Sequence, residues 1–297
     1  MADLIFSKLK SCSGHRGAVY GLCEGPDDQF FSCGGDGYLV MWSTKEHDTD
    51  GQLIARTEKP LFCCAFSPEL NKVACGGMDG ILYLIDLQNQ SISLASKLHG
   101  SAIYSIGFYG NVILSAGSDG MLCIMDVRDT NRVKKIKLGS QNLRCLFEMD
   151  ALIYVGSSDG CIYTIDPATW ETSSQFQAHS NSVFSIIADE NQLYSGGRDA
   201  LLKIWQKKVH QKDPLEIKAH MGTVNSLCFY HDWLVSAGRD KQLRIWQRDG
   251  KLAESKTPIT GGHFHSINKA IWHRKSDVLI SASDDKSIIV WQALPMA

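Results

Sequence analysis

The chain of 297 residues is poor in proline, with seven, and its ten cysteines form no C-x-x-C pair. It has no apolar run near the roughly 20 residues that a membrane-spanning helix requires. Each shortage removes a class. Few prolines, 44% hydrophobic residues and 21% charged residues describe a chain that builds a core, not a disordered one. Scattered cysteines argue against a zinc ribbon or a dithiol redox site, and the adjacent Cys63 and Cys64 read as strand packing. Charge of either sign is also lacking in excess: 30 Lys and Arg against 32 Asp and Glu give −2. No general attraction to nucleic acid or anionic membrane is therefore expected. The opening "MADLIFSKLKSCSGH" lacks the long apolar core of an export signal and reads as a strand. These features together predict a cytoplasmic protein with reduced thiols.

What the sequence does have is a repeat. "YSGGRDALLKIW" (194–205) returns as "VSAGRDKQLRIW" (235–246), "FSCGGDGYLVMW" (31–42) and "ISASDDKSIIVW" (280–291). Weaker copies are "ACGGMDGILYLI" (74–85), "LSAGSDGMLCIM" (114–125) and "VGSSDGCIYTI" (155–165). Their turn aspartates, Asp36, Asp79, Asp119, Asp159, Asp199, Asp240 and Asp285, are spaced by 43, 40, 40, 40, 41 and 45 residues. Each copy is an apolar run, a tight turn at the aspartate and a second, alternating run, which is a β-hairpin. A further strand such as "TVNSLCF" precedes it and a polar one such as "DPLEIKAH" follows, so each period supplies four strands. A β-rich period of this length predicts one propeller blade per copy.

Four copies carry a histidine about 20 residues before the aspartate, a serine four before it and a tryptophan six after. They are His15, Ser32, Asp36 and Trp42; His179, Ser195, Asp199 and Trp205; His220, Ser236, Asp240 and Trp246; and His263, Ser281, Asp285 and Trp291. In this pattern the chain resembles the WD40-repeat family of seven-bladed β-propellers over nearly its whole length. The resemblance implies that each foursome is a structural hydrogen-bonded tetrad within its blade. Copies two and four lack the histidine and serine, and copy three keeps His99, Ser115 and Asp119. Copies two, three and four replace the tryptophan by Ile85, Met125 and Ile165, each followed by an aspartate (Asp86, Asp126 and Asp166). These blades are expected to rest on apolar packing more than on polar bonds.

After Trp291 too few residues remain for an outer strand, whereas "DLIFSKLK" precedes the first histidine. The expected fold is therefore all-β, seven four-stranded antiparallel blades. A strand at about residues 3–10 would complete the blade built from 263–292, leaving residues 1–297 as a single domain.

A Ser/His/Asp set that recurs at fixed spacing is a structural unit and not a catalytic triad, so no catalytic residue is assigned. "HFH" at 263–265 with His273 has no ligand-spaced cysteine or carboxylate, and the glycine pairs lack the lysine and helix of a phosphate loop; no metal or cofactor is expected. The remaining class is a binding module. Two non-repeating rings carry the information. One immediately precedes the turn aspartate: Gly35, Met78, Ser118, Ser158, Arg198, Arg239 and Asp284. The other lies on the innermost strand: Tyr20, Cys63, Tyr104, Arg144, Phe184, Asn225 and Asn268. By resemblance, both rings face the family's usual binding side. Tyr104, Arg144, Phe184, Arg198 and Arg239 combine aromatic and guanidinium groups, as interaction hot spots do. They predict a protein or peptide partner, acidic or phosphorylated. Nucleic-acid binding, a small ligand in the central channel and, last, a propeller enzyme are the alternatives.

Overall fold

In the computed structural model, which describes residues 4–207 and 213–295, seven four-stranded antiparallel sheets form the blades of a propeller. Blade one comprises Val19–Glu24, Gln29–Gly34, Tyr38–Ser43 and Gln52–Arg56, from innermost to outermost strand. Blades two to six repeat this order, with innermost strands Leu61–Ser67, Ile103–Tyr109, Leu143–Met149, Val183–Ala188 and Val224–Tyr230. Among the described residues the lone helical segment is the 3₁₀ turn Pro258–Thr260, and no helix is long and apolar enough to cross a membrane.

Blade seven is built from both ends of the chain. Ile267–His273, Val278–Ser283 and Ser287–Pro295 are joined by Leu4–Ser13, which pairs antiparallel with Ser287–Pro295 from Leu4↔Pro295 to Ser13↔Ser287. The expected strand at 3–10 thus runs three residues further, and its first residue lies outside the described residues. The Lys10 ammonium, 6% exposed, leaves this strand and donates to the carbonyl oxygens of Ser43 (2.7 Å), Lys45 (2.6 Å) and Asp48 on blade one. Three carbonyl dipoles solvate this buried cation, and Asp48 and Asp28 add favourable charge nearby.

The core consists of seven apolar seams between neighbouring blades. Trp42 packs in the seam between blades seven and one, Trp205 between four and five, Trp246 between five and six, and Trp291 between six and seven. Ile85, Met125 and Ile165 occupy the corresponding places in the remaining three seams. Those substitutions keep the apolar plug and discard the indole N–H.

All seven innermost strands slip register by one residue near their start. Such a bulge releases one residue from the ladder. The released residues are Tyr20, Phe62, Tyr104, Arg144, Phe184, Asn225 and Asn268, and all seven line the mouth of the central channel. The blade-two member is Phe62, not Cys63. The released residue precedes its turn aspartate by 15 to 17 residues, 17 in blade two, because the connection between the first two strands varies in length, so the aspartate spacing does not fix it.

Candidate functional site: the channel mouth and its rim

The repeated polar residues come together in a fixed chain. In blade one the Trp42 indole donates to Ser32 Oγ (2.7 Å), Ser32 donates to His15 Nε2 (2.7 Å), and His15 Nδ1 donates to Asp36 Oδ2 (2.9 Å). This assignment follows from the acceptor at each end: a carboxylate facing Nδ1 places the proton there, leaving Nε2 to accept. The same chain joins His179, Ser195, Asp199 and Trp205, with His179 to Ser195 at 2.8 Å and to Asp199 at 2.9 Å. It joins His220, Ser236, Asp240 and Trp246 at 2.8, 2.8 and 2.9 Å. It joins His263, Ser281, Asp285 and Trp291 at 2.9, 3.0 and 2.9 Å. Blade three forms the two histidine links, His99 to Ser115 and to Asp119, both at 2.9 Å.

Geometrically these are Ser–His–Asp sets, yet all five serines are 0% exposed, and four of them also receive an indole N–H. A nucleophile must reach substrate, and these cannot. Each aspartate instead ties the blade's rim together. It accepts the N–H of the residue two further on in all seven blades. In the five histidine-bearing blades it also accepts the N–H of the residue after the histidine. Burial alone would push Asp199, Asp240 and Asp285 up, but the donated hydrogen bonds, led by the histidine, outweigh it and hold all three below the ordinary carboxylate value.

Blades two and four are not held by apolar packing alone. The Tyr83 hydroxyl donates to Asp79 Oδ2 (2.8 Å) and the Tyr163 hydroxyl to Asp159 Oδ2 (3.0 Å). A tyrosine four residues after the aspartate therefore replaces the missing histidine from the third strand. The sequence held that signal: the other five blades have Val40, Cys123, Lys203, Arg244 and Ile289 there.

Around the mouth, Tyr20 meets Phe62 edge-on (5.4 Å between centroids) and Phe62 stacks on Tyr104 (5.8 Å). The Arg144 guanidinium then lies over the Tyr104 ring (4.3 Å) and the Phe184 ring (5.3 Å). Arg144 Nε donates to Ser158 Oγ (2.8 Å), and Nη2 donates to the Asn142 amide oxygen (3.1 Å). Blades one to five thus share an aromatic arc with one embedded cation. On the other side the two asparagines serve as latches: Asn225 donates to Ile267 O (2.8 Å), and Asn268 to Val19 O (3.0 Å) and Asp284 Oδ1 (2.7 Å).

Outside the arc, Arg198 and Arg239 occupy the position before the turn aspartate, where the backbone N–H is fixed to the preceding loop: Arg198 to Ser182 O and Arg239 to Thr223 O, both 2.9 Å. Their side chains are exposed and make no hydrogen bond or ion pair among the described residues. The structure thus joins Tyr104, Arg144 and Phe184 into one stack and leaves Arg198 and Arg239 on the rim. Sequence reasoning missed two rim neighbours, Met221 (82% exposed) and Phe264 (67% exposed), which each follow a tetrad histidine. Repetition carried the signal, since Arg16, Gly100 and Ser180 stand at the same place. His263 is committed to its tetrad, and His273 donates to Gln29 O (2.8 Å). Among the described residues no group of metal-ligating side chains forms.

The family model "WD domain, G-beta repeat" matches residues 6–43, 50–86, 170–206, 212–247 and 255–292, more than half of the chain. The chain belongs to the WD40 family. The stretch between 86 and 170, which carries blade three and most of blade four, falls outside the five matched segments. The chain is 24% identical over 241 residues to the rat (Rattus norvegicus) apoptotic protease-activating factor 1, covering 67% of this chain and 19% of that protein. It is 27% identical to WD repeat-containing protein 1 of Gallus gallus, over 51% of this chain and 27% of that one. A third similarity, 26%, is to telomerase protein component 1 of Mus musculus, over 57% of this chain and 7% of that protein. The chain therefore spans about a quarter or less of the length of these relatives. WD40 propellers typically mediate protein interactions.

Proposed function

We propose that this WD40 propeller is a non-catalytic interaction platform that docks a partner protein or peptide on the face bearing Arg198 and Arg239. One observation carries the reading: two adjacent blades present exposed guanidinium groups that make no hydrogen bond or ion pair among the described residues, at a position the repeat leaves free. Surface guanidinium groups not engaged in an ion pair bind carboxylate or phosphate bidentately at little rearrangement. Beside them, Met221 and the Tyr104–Arg144–Phe184 stack offer apolar contact area. The partner is therefore an acidic or phosphorylated segment with apolar residues of its own. Ten free thiols, seven of them buried, favour a reducing compartment such as the cytoplasm.

The test is affinity purification with mass spectrometry, comparing the wild type with Arg198→Glu plus Arg239→Glu. Glu190→Lys, at the opposite end of blade five, is the control. Partners lost from the double variant and kept by the control support the reading. An unchanged set of partners overturns it.

A further inference from the structure

Behind the mouth, the channel wall breaks its own repeat at one residue. Directly after the bulge, blades one to six carry Gly21, Cys63, Ser105, Cys145, Ser185 and Ser226. The serines stitch adjacent innermost strands: Ser105 Oγ accepts the Leu146 N–H (3.1 Å), Ser185 Oγ that of Leu227 (2.9 Å) and Ser226 Oγ that of Ala270 (3.2 Å). The two thiols reach the carbonyls of Ile103 and Val183, both at 3.8 Å. Blade seven places Lys269 there. Its long side chain cannot repeat the stitch. It lines a cavity of about 430 Å³ and makes no hydrogen bond or ion pair among the described residues.

The surroundings give that ammonium no counter-charge. Among the described residues lining the cavity there is no carboxylate, and the other cation is Arg144 at the mouth. Asp284, the acid of the rim, lies outside the lining and is engaged by Asn268. Burial pushes the Cys145 thiol on blade four and the Cys228 thiol on blade six up to about 12, while Lys269 opposes the shift at both. Two cations in a half-enclosed space without an acid are electrostatically unfavourable until an anion enters. Tyr20, Phe62, Tyr104, Phe147 and Phe184 supply an aromatic wall. The volume lies within the roughly 300–1,000 Å³ of small-molecule sites.

We propose that the central channel binds a compact aromatic anion, its phosphate or carboxylate on Lys269 and its ring against the aromatic wall, with Arg144 at the mouth. The site does not depend on the rim reading, since neither Arg198 nor Arg239 lines it. An aryl phosphate is available as a free molecule or as a phosphotyrosine side chain, and the two share this chemistry.

Isothermal titration of the full chain with phenyl phosphate tests the site, with inorganic phosphate and phenol as probes of charge and ring alone. Phenyl phosphate is expected to bind more tightly than either. Lys269→Ser, which installs the residue that blades three, five and six carry there, should weaken it at least tenfold without lowering the melting temperature. Lys269→Gln serves in the same way if the serine variant fails to fold. The rim variant Arg198→Glu plus Arg239→Glu should bind phenyl phosphate as the wild type does, even where it loses a protein partner. A short phosphotyrosine peptide as a further probe separates the sources: tighter binding than phenyl phosphate assigns the site to a partner's side chain, weaker binding to a free molecule. Undetectable binding of both aryl phosphates at millimolar concentration, or equal affinity in the lysine variants, overturns the proposal.

Discussion

Replacing Tyr163 with phenylalanine removes one oxygen atom and leaves the ring in its seam. The hydroxyl it deletes donates to Asp159 Oδ2 at 3.0 Å, and the tyrosine is 6% exposed, so water has little access to take its place. Burial and the neighbouring carboxylate together push the Tyr163 hydroxyl up to about 12, as expected of a phenol that serves as donor to an anion. A hydrogen bond to a charged group contributes about 1.5–3 kcal/mol. Asp159 keeps the Cys161 N–H (2.9 Å), so the lower end applies and a loss of about 1.5 kcal/mol is expected. Urea unfolding followed by tryptophan fluorescence measures it. Tyr83→Phe, with its 2.8 Å bond to Asp79, should lose a similar amount. Tyr154→Phe is the control, a 9% exposed tyrosine whose hydroxyl makes no hydrogen bond among the described residues. A double-mutant cycle with Asp159→Ala should return a coupling of about 1 kcal/mol. Asp240→Ala should exceed Asp159→Ala, because it strands the His220 Nδ1–H in a site 1% exposed. If Tyr163→Phe lies within about 0.3 kcal/mol of the Tyr154 control and the cycle is additive, the tyrosine does not replace the histidine.

Acid should weaken the ring in two stages. Burial lowers His99, so the folded state resists its protonation and stability begins to fall as pH drops below the ordinary histidine value of 6.5. Asp119, Asp199, Asp240 and Asp285 are held below their ordinary 3.8, so their contribution is present above that value and is lost as pH falls through it. The urea midpoint should therefore slope gently below pH 6.5 and steeply below about 5; a midpoint flat down to pH 4 contradicts this. Lys10→Met should cost about 2–3 kcal/mol, because three carbonyls lose a charged donor; a melting curve like the wild type's would show the staple to be idle. The residue after each turn aspartate has positive φ, glycine in four blades and Ala200, Lys241 and Lys286 in three. Lys286→Gly should be neutral or stabilise by up to about 1 kcal/mol, since relief of left-handed strain offsets the entropy of glycine; a clear loss would contradict the strain assignment.

The spacing of the seven aspartates made the blade count, the tetrads and the shared seventh blade legible, because a repeat multiplies a weak local pattern. What escaped were features that depend on single departures. Tyr83 and Tyr163 stand where no tetrad residue is sought, and only the missing donor beside a carboxylate points to them. The blade-two member was displaced from Phe62 by one position because the connection between the first two strands varies in length from blade to blade. Asn225 and Asn268, members of the ring on the innermost strand, act as latches between neighbouring blades, a role the sequence hides because their backbone partners are distant in sequence. Met221, Phe264 and Lys269 were visible as exceptions to the repeat, but their meaning required knowing that the first two face solvent and the third a cavity.

The pairing of Leu4–Ser13 with Ser287–Pro295 also sets a schedule. At synthesis rates of about 5–20 residues per second, the first strand leaves the ribosome roughly 15–60 s before the strand it must meet. Six blades can stack in the meantime, yet the growing arc keeps a bare apolar blade face at each flank, and Leu4–Ser13 has no partner strand. The ring is a clasp, and until these two strands meet, the apolar faces on either side of the gap stay open to water.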